Sequence, residues 1–166
     1  MKKIIRSIFI LTLCLLSLFN VEAFALENND IEVENIVLSQ EEINEILAKG
    51  NTYTAKNRAA DLIMAATVAI NNDFKLLQFV GSMNCSPVVV KCGFEDIIVQ
   101  RRATSSEPWS FYYQFDDDIA DGIVKTTIKA VTTNTGYGYR VICTAYAKKS
   151  LFSVQRVSLT TNIIAW

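Results

Sequence analysis

Between Trp109 and Phe115 an aromatic side chain recurs at every second residue: Trp109, Phe111, Tyr113 and Phe115 alternate with Ser110, Tyr112 and Gln114. A period of two sends successive side chains to opposite faces of an extended chain and fits no helix. The same period governs much of what surrounds this stretch. Ile97, Val99 and Arg101 oppose Ile98 and Gln100; Tyr137, Tyr139, Val141, Cys143 and Ala145 share one face against Arg140 and Ile142; residues 123–131 alternate again; and 151–160 reads as a last strand. Turn-forming clusters separate these runs, at Cys85-Ser86-Pro87, Thr104 to Pro108, Asp116 to Gly122 and Thr132 to Gly136. Residues 59–70 fit two periods. Leu62, Ile63, Ala66 and Ile70 suit a helix, whereas Met64, Ala66, Val68 and Ile70 alternate and run into the turn-like Asn71-Asn72-Asp73. The hairpin reading is adopted, with Phe74, Leu76, Gln78 and Val80 on one face of the return strand and Leu77, Phe79 and Gly81 on the other. About seven or eight short strands joined by polar turns predict an all-β chain, a single β-sandwich of immunoglobulin-like general architecture over residues 51–166.

One helix is expected, over 39–48. Ser39 and Glu42 form a capping box, Leu38 and Ile43 stand at the hydrophobic staple positions, and Lys49-Gly50 closes the other end. Its apolar stripe, Ile43, Ile46 and Leu47, is too short to hold a helix in water alone, so it should pack on the domain or on something else. With residues 26–38 it forms an acidic lead-in, 26–50. From Glu27 to Glu45 there are seven acids and no base, whereas from Gly50 onward twelve bases face nine acids. The lead-in is read as a solvated segment, with a latch onto the basic domain as the sharper alternative.

Residues 1–25 carry the parts of an export signal. Lys2, Lys3 and Arg6 precede an apolar run from Ile8 to Phe19, and Ala23-Phe24-Ala25 is a small-x-small cleavage site. Cleavage before Leu26 would leave a one-domain chain outside the cytoplasm. The run is shorter than the roughly 20 residues that a spanning helix needs, so no membrane attachment is expected after cleavage. An uncleaved anchor is the alternative.

The cleaved chain would lose three bases and Glu22, leaving 13 basic and 16 acidic residues and a net charge of −3. That charge argues against nucleic acid as a partner. Three cysteines remain, Cys85, Cys92 and Cys143, and one pair among them can form a disulfide in an oxidising compartment. The sequence has no histidine. This removes the usual general base, the Ser-His-Asp and Cys-His arrangements and the commonest zinc ligand. No cofactor is expected, and the chain carries neither a glycine-rich dinucleotide fingerprint nor a phosphate-binding loop.

The stretches Cys92-Gly-Phe-Glu-Asp-Ile-Ile-Val-Gln-Arg-Arg with Trp109, and Gly138-Tyr-Arg-Val-Ile-Cys-Thr-Ala-Tyr-Ala-Lys-Lys, resemble a group of small secreted proteins of uncharacterised function from Gram-positive bacteria. The likeness covers residues 51–166. It implies export and a β-sandwich and supplies no catalytic residue; where some members have a histidine, this chain has Ala145.

Few constellations carry chemistry. Asp116, Asp118 and Asp121 could offer oxygens to calcium, although their spacing is not that of an EF-hand loop and a solvated turn is the simpler reading. Tyr112, out of phase with Trp109 and Tyr113, is expected to be exposed and is a candidate ligand contact, as is the terminal Trp166. Arg101, Arg102 and Arg140 could flank such a patch or be ordinary solvent-facing residues. The expectation is a secreted non-enzymatic binding module acting on an extracellular protein or glycan. The alternatives are a secreted hydrolase using two carboxylates, or a secreted toxin or protease inhibitor with a loop closed by Cys85 and Cys92.

Overall fold

A computed structural model describes residues 33, 36–56, 61–73 and 75–165. The expected export signal, most of the lead-in before the helix and Trp166 lie outside them. The described chain is one helix, α1 (Gln40–Leu47), followed by ten strands: β1 (Asn51–Thr54), β2 (Ile63–Asp73), β3 (Leu76–Cys85), β4 (Lys91–Arg102), β5 (Ser110–Phe115), β6 (Asp118–Asp121), β7 (Val124–Thr132), β8 (Gly138–Ser150), β9 (Ser153–Thr160) and β10 (Ile164–Ala165).

These strands form two antiparallel sheets packed face to face, the all-β sandwich that the alternation predicts. The first has the order β1-β2-β3-β7. The second runs β10-β8-β4-β5, with β6 also pairing with β4 and β9 with β8. Consecutive strands β2 and β3 lie in the same sheet, whereas an immunoglobulin domain places its second and third strands in opposite sheets. The layered architecture is shared and the connectivity is this chain's own.

The core lies between the layers. Ile63, Val68, Ile70, Leu77, Phe79 and Val131 of the first sheet meet Phe94, Ile97, Val99, Phe115, Tyr139 and Val141 of the second, all at most 1% exposed. Phe79 and Phe94 join the layers edge to face, their ring centres 6.2 Å apart. This contact depends on Gly81, because a Cβ there would stand 2.8 Å from the Phe94 ring. Burying each such aromatic is worth about 1.5–3 kcal/mol.

Of residues 59–70, which suit either period, 59 and 60 lie outside the described residues, and Ile63 to Ile70 form strand. Ala66, Val68 and Ile70 face the core, and a register shift between Ile63 and Ala65 turns Met64 outward. The expected turn at Asn71 to Asp73 lies further on. The strand pairs through Asp73 with Leu76, and Lys75 takes the tight left-handed position at φ 67°. The Lys75 carbonyl accepts the Thr133 backbone N–H and hydroxyl, which ties this hairpin to the segment after β7.

Helix α1 forms under its capping box. The Ser39 hydroxyl accepts the Glu42 N–H, and the Glu42 carboxylate accepts the Ser39 N–H at 2.7 Å. Ile43 and Ile46 seat on Ala69 and Val80, on the face of the first sheet turned away from the core, with Leu38 and Ile128 beside them. Just upstream, the Val33 N–H donates to the Ala130 carbonyl of β7. The acidic lead-in is therefore not wholly a solvated segment: its helix is a third layer over the first sheet. Among the described residues, no helix is long and apolar enough to cross a membrane.

Candidate functional site

Two β-bulges set which side chains the second sheet presents. Val99 pairs with Tyr113 but Gln100 pairs with Phe111, so Tyr112 is an extra residue in β5. A bulge shifts the alternation by one. The shift overturns the expectation for Tyr112. It points inward and is 4% exposed, its hydroxyl donating to the Thr132 carbonyl at 2.7 Å and its ring edge-on to Tyr139. Phe111, in phase with Trp109, Tyr113 and Phe115 in the sequence, is 64% exposed, opposite Gln100 on the outer face. The second bulge lies in β4, between Glu95 and Ile98, where β4 exchanges β6 for β5 as its partner. Asp96 is left-handed there at φ 52°, and its N–H donates to the Asp117 carboxylate at 2.9 Å.

One end of this outer face gathers arginines around an indole. The guanidinium carbons of Arg102 and Arg140 both lie 4.4 Å from the centre of the Trp109 ring. Arg140 donates from Nε to the Gln100 side chain at 2.9 Å, and Arg102 donates to the Ser105 carbonyl. Opposite Arg102 in the register stands Gly138, which leaves the space above the sheet open. Arg101 points the other way and closes the mouth of the sandwich, 4.8 Å from the Tyr112 ring centre and 4.9 Å from that of Tyr137. None of the three arginines forms an ion pair among the described residues. Burial first, and then the like charge of Arg102, push the Arg140 guanidinium below its ordinary value. Positive charge concentrated on an aromatic surface without a counter-ion favours a ligand that brings negative charge.

The acidic residues do not converge. Asp118 is paired with Lys125 at 2.6 Å, and Asp121 with Lys91 at 3.4 Å. Asp116 is exposed. Among the described residues, no group of three His, Cys, Asp or Glu side chains could hold a metal ion, so the calcium candidates Asp116, Asp118 and Asp121 make no site together. Glu95 is engaged by Arg156. Glu42, Glu45 and Asp73 do line one small hollow of about 190 Å³ beside the helix. Glu42 is committed there to the capping box, and its bonds from Ser39 hold its carboxyl below the ordinary value, the wrong direction for a general acid.

Cys85, Cys92 and Cys143 are free and buried. Cys85 closes β3 and Cys92 stands second in β4, in facing sheets and close enough that each thiol shifts the other; Cys143 stands apart in β8. Burial pushes Cys85 and Cys143 each up to about 12, and raises Cys92 as well. The loop between Cys85 and Cys92 is held close to the body. Val89 is buried, and Ser86 and Val90 donate backbone N–H groups to Leu62 and Lys148.

Sequence periodicity finds Arg102, Trp109 and Arg140 but not their convergence, because the bulge at Tyr112 decides which side of β5 faces out. It also passes over Leu151 and Phe152, which stand 80% and 99% exposed at the β8–β9 turn. The chain matches no protein-family model, no curated protein and no solved structure.

Proposed function

We propose that this chain is an exported, non-enzymatic binding module whose outer second-sheet face, around Trp109, receives an acidic protein surface. The observation that carries this reading is the pair of guanidiniums stacked on Trp109, neither of which forms an ion pair among the described residues. Tryptophan and arginine are the residues most enriched among energetically dominant interface contacts. Beside them Phe111 offers exposed apolar area, and Ile98 and Ile142 face each other across the adjoining register. Because two guanidiniums already occupy the indole, the surface suits a flat partner that accepts several charge-assisted hydrogen bonds better than a sugar ring that must lie on the indole itself. An acidic glycan is the second reading, favoured by the same charges.

Export rests on Lys2, Lys3 and Arg6 ahead of the Ile8 to Phe19 run and on Ala23-Phe24-Ala25, and the resemblance to small secreted proteins of Gram-positive bacteria agrees with it. The intact mass of the protein recovered from culture medium tests it. A chain beginning at Leu26 is expected, and recovery only from the cell pellet with residues 1–25 retained would refute export. The binding surface is tested by retention on immobilised poly-glutamate. Retention should fall with salt and be lost in Arg102→Ala/Arg140→Ala. Retention on a sulfated glycan but not on poly-glutamate would transfer the reading to the glycan class.

A further inference from the structure

At the opposite end of the sandwich from Trp109, three separate turns bring exposed apolar side chains together. The β8–β9 turn presents Leu151 and Phe152 at 80% and 99% exposure. The β3–β4 loop presents Val88 and Val90, and the β6–β7 connection presents Ile123 and Val124, at 38–63% exposure. Backbone hydrogen bonds fix these turns beside one another. The Val90 N–H donates to the Lys148 carbonyl at 2.8 Å, Gly122 to Val90 at 3.0 Å and Cys85 to Ile123 at 2.7 Å. The tips therefore share one rim on a rigid support.

We infer that this rim docks on the surface of an anionic lipid bilayer, with Leu151 and Phe152 entering the headgroup and upper acyl region. Two properties select a bilayer over a protein groove. The most exposed side chains stand at the apex of a tight hairpin, where they can enter a soft medium without any complementary pocket. The charges directly flanking the apex are also of one sign. Lys148 and Lys149 precede the apex directly and make no ion pair among the described residues, whereas the nearby Asp121 and Asp118 are neutralised by Lys91 and Lys125. Apolar tips ringed by lysine are the arrangement of interfacial binding, in which acyl-level burial and attraction to acidic headgroups add. Lysine stems can lie along the apolar surface while their ammonium groups reach the phosphates. The sequence alone gives no membrane attachment beyond residues 1–25, because two adjacent apolar residues in a turn carry no periodic signal. This inference does not rest on the Trp109 face, which lies at the other end of β4 and β8.

The test uses phosphatidylcholine vesicles with and without phosphatidylglycerol. Leu151→Asp/Phe152→Asp should melt at the same temperature as the parent chain, since neither side chain is buried, yet bind the acidic vesicles roughly tenfold more weakly or less. Because the two chains differ only at these two positions, the difference reads the rim alone. In a separate Phe152→Trp protein, the added indole should shift its emission to the blue on acidic vesicles and be quenched by acyl-brominated lipid. Equal vesicle binding by the double variant, or an indole at 152 that stays at its aqueous emission maximum, would overturn the inference. So would emission that shifts with an added soluble protein and not with vesicles, which would make the rim a protein-docking site.

Discussion

Arg140 holds its guanidinium carbon 4.4 Å from the centre of the Trp109 ring while its Nε bonds to Gln100 on the neighbouring strand. The side chain is thus oriented before any ligand arrives, which lowers the ordering cost of binding. Arg102 reaches the same ring from the far end of β4, at the same distance. The two like charges share the indole, and neither forms an ion pair among the described residues, which is the condition that an acidic partner relieves.

Tyr112 is a structural residue, and its two substitutions should separate. Tyr112→Phe removes the bond to the Thr132 carbonyl and should lower stability by about 1 kcal/mol. Tyr112→Ala also empties the space against Tyr139 and should cost about 3–5 kcal/mol. Urea denaturation checks both; equal and negligible effects would mean that Tyr112 faces solvent.

Gly93 lies where β6 crosses close to β4. A Cβ there would stand 2.1 Å from the Asp118 carbonyl oxygen, and backbone cannot yield as a flexible side chain does. Gly93→Ala should destabilise the fold by about 1–3 kcal/mol, read as a shift in the denaturation midpoint at constant slope.

The docked helix should be separable from the sandwich. Ser39→Ala removes the hydroxyl that accepts the Glu42 N–H and donates to its carboxylate, leaves the Ser39 N–H on that carboxylate, and should cost about 1 kcal/mol. Hydrogen exchange should then accelerate across residues 40–47 while the core strands stay protected. Acidification should weaken the same helix end. The folded Glu42 carboxyl is held below its ordinary 4.5, so its contribution is present above that value and is lost as the pH falls through the depressed folded value.

The thiols give an opposite dependence. Cys85 and Cys143 are raised from 9.0 to about 12 in the folded chain, so their contribution is complete below pH 9 and is lost as the pH rises from 9 toward 12. The reduced protein should lose stability over that window, and a Cys143→Ala protein should lose less. Refolding in a mixture of oxidised and reduced glutathione should join Cys85 to Cys92, with the glutathione disulfide taking up the two electrons and two protons. Peptide mapping should find Cys143 alkylated, and a crosslink that includes Cys143 would contradict this pairing.

The long strands β4 and β8 of the second sheet were legible in the sequence because one face of each is dry, whereas β6 forms inside the stretch Asp116 to Gly122 that reads as a turn. Tyr139, Val141, Cys143 and Ala145 alternate in the sequence and all are buried. The capping box of α1 was equally plain, since Ser39 and Glu42 act over three residues. What failed to show depends on pairing between distant segments. Tyr112 and Phe111 exchange sides because of a bulge against Val99 and Gln100, which a single strand read alone does not reveal. The candidate cluster of Asp116, Asp118 and Asp121 is broken up because Lys125 reaches Asp118 from the other sheet and Lys91 pairs with Asp121 on the neighbouring strand. The lead-in helix docks because the outer face of the first sheet carries Ala69, Val80 and Ile128, whose apolar character looks like strand propensity until a layer is seen to cover them.

The most direct test of the Trp109 face is a fluorescence titration of a Trp166→Phe chain, which leaves Trp109 as its only indole. Poly-glutamate should change the Trp109 emission as it displaces guanidinium contacts, with an affinity that weakens steeply as salt rises, and Arg102→Ala/Arg140→Ala should abolish the response. A response of equal size and affinity in the arginine variant would contradict the assignment, as would a Trp109 signal that poly-glutamate leaves unmoved at low salt.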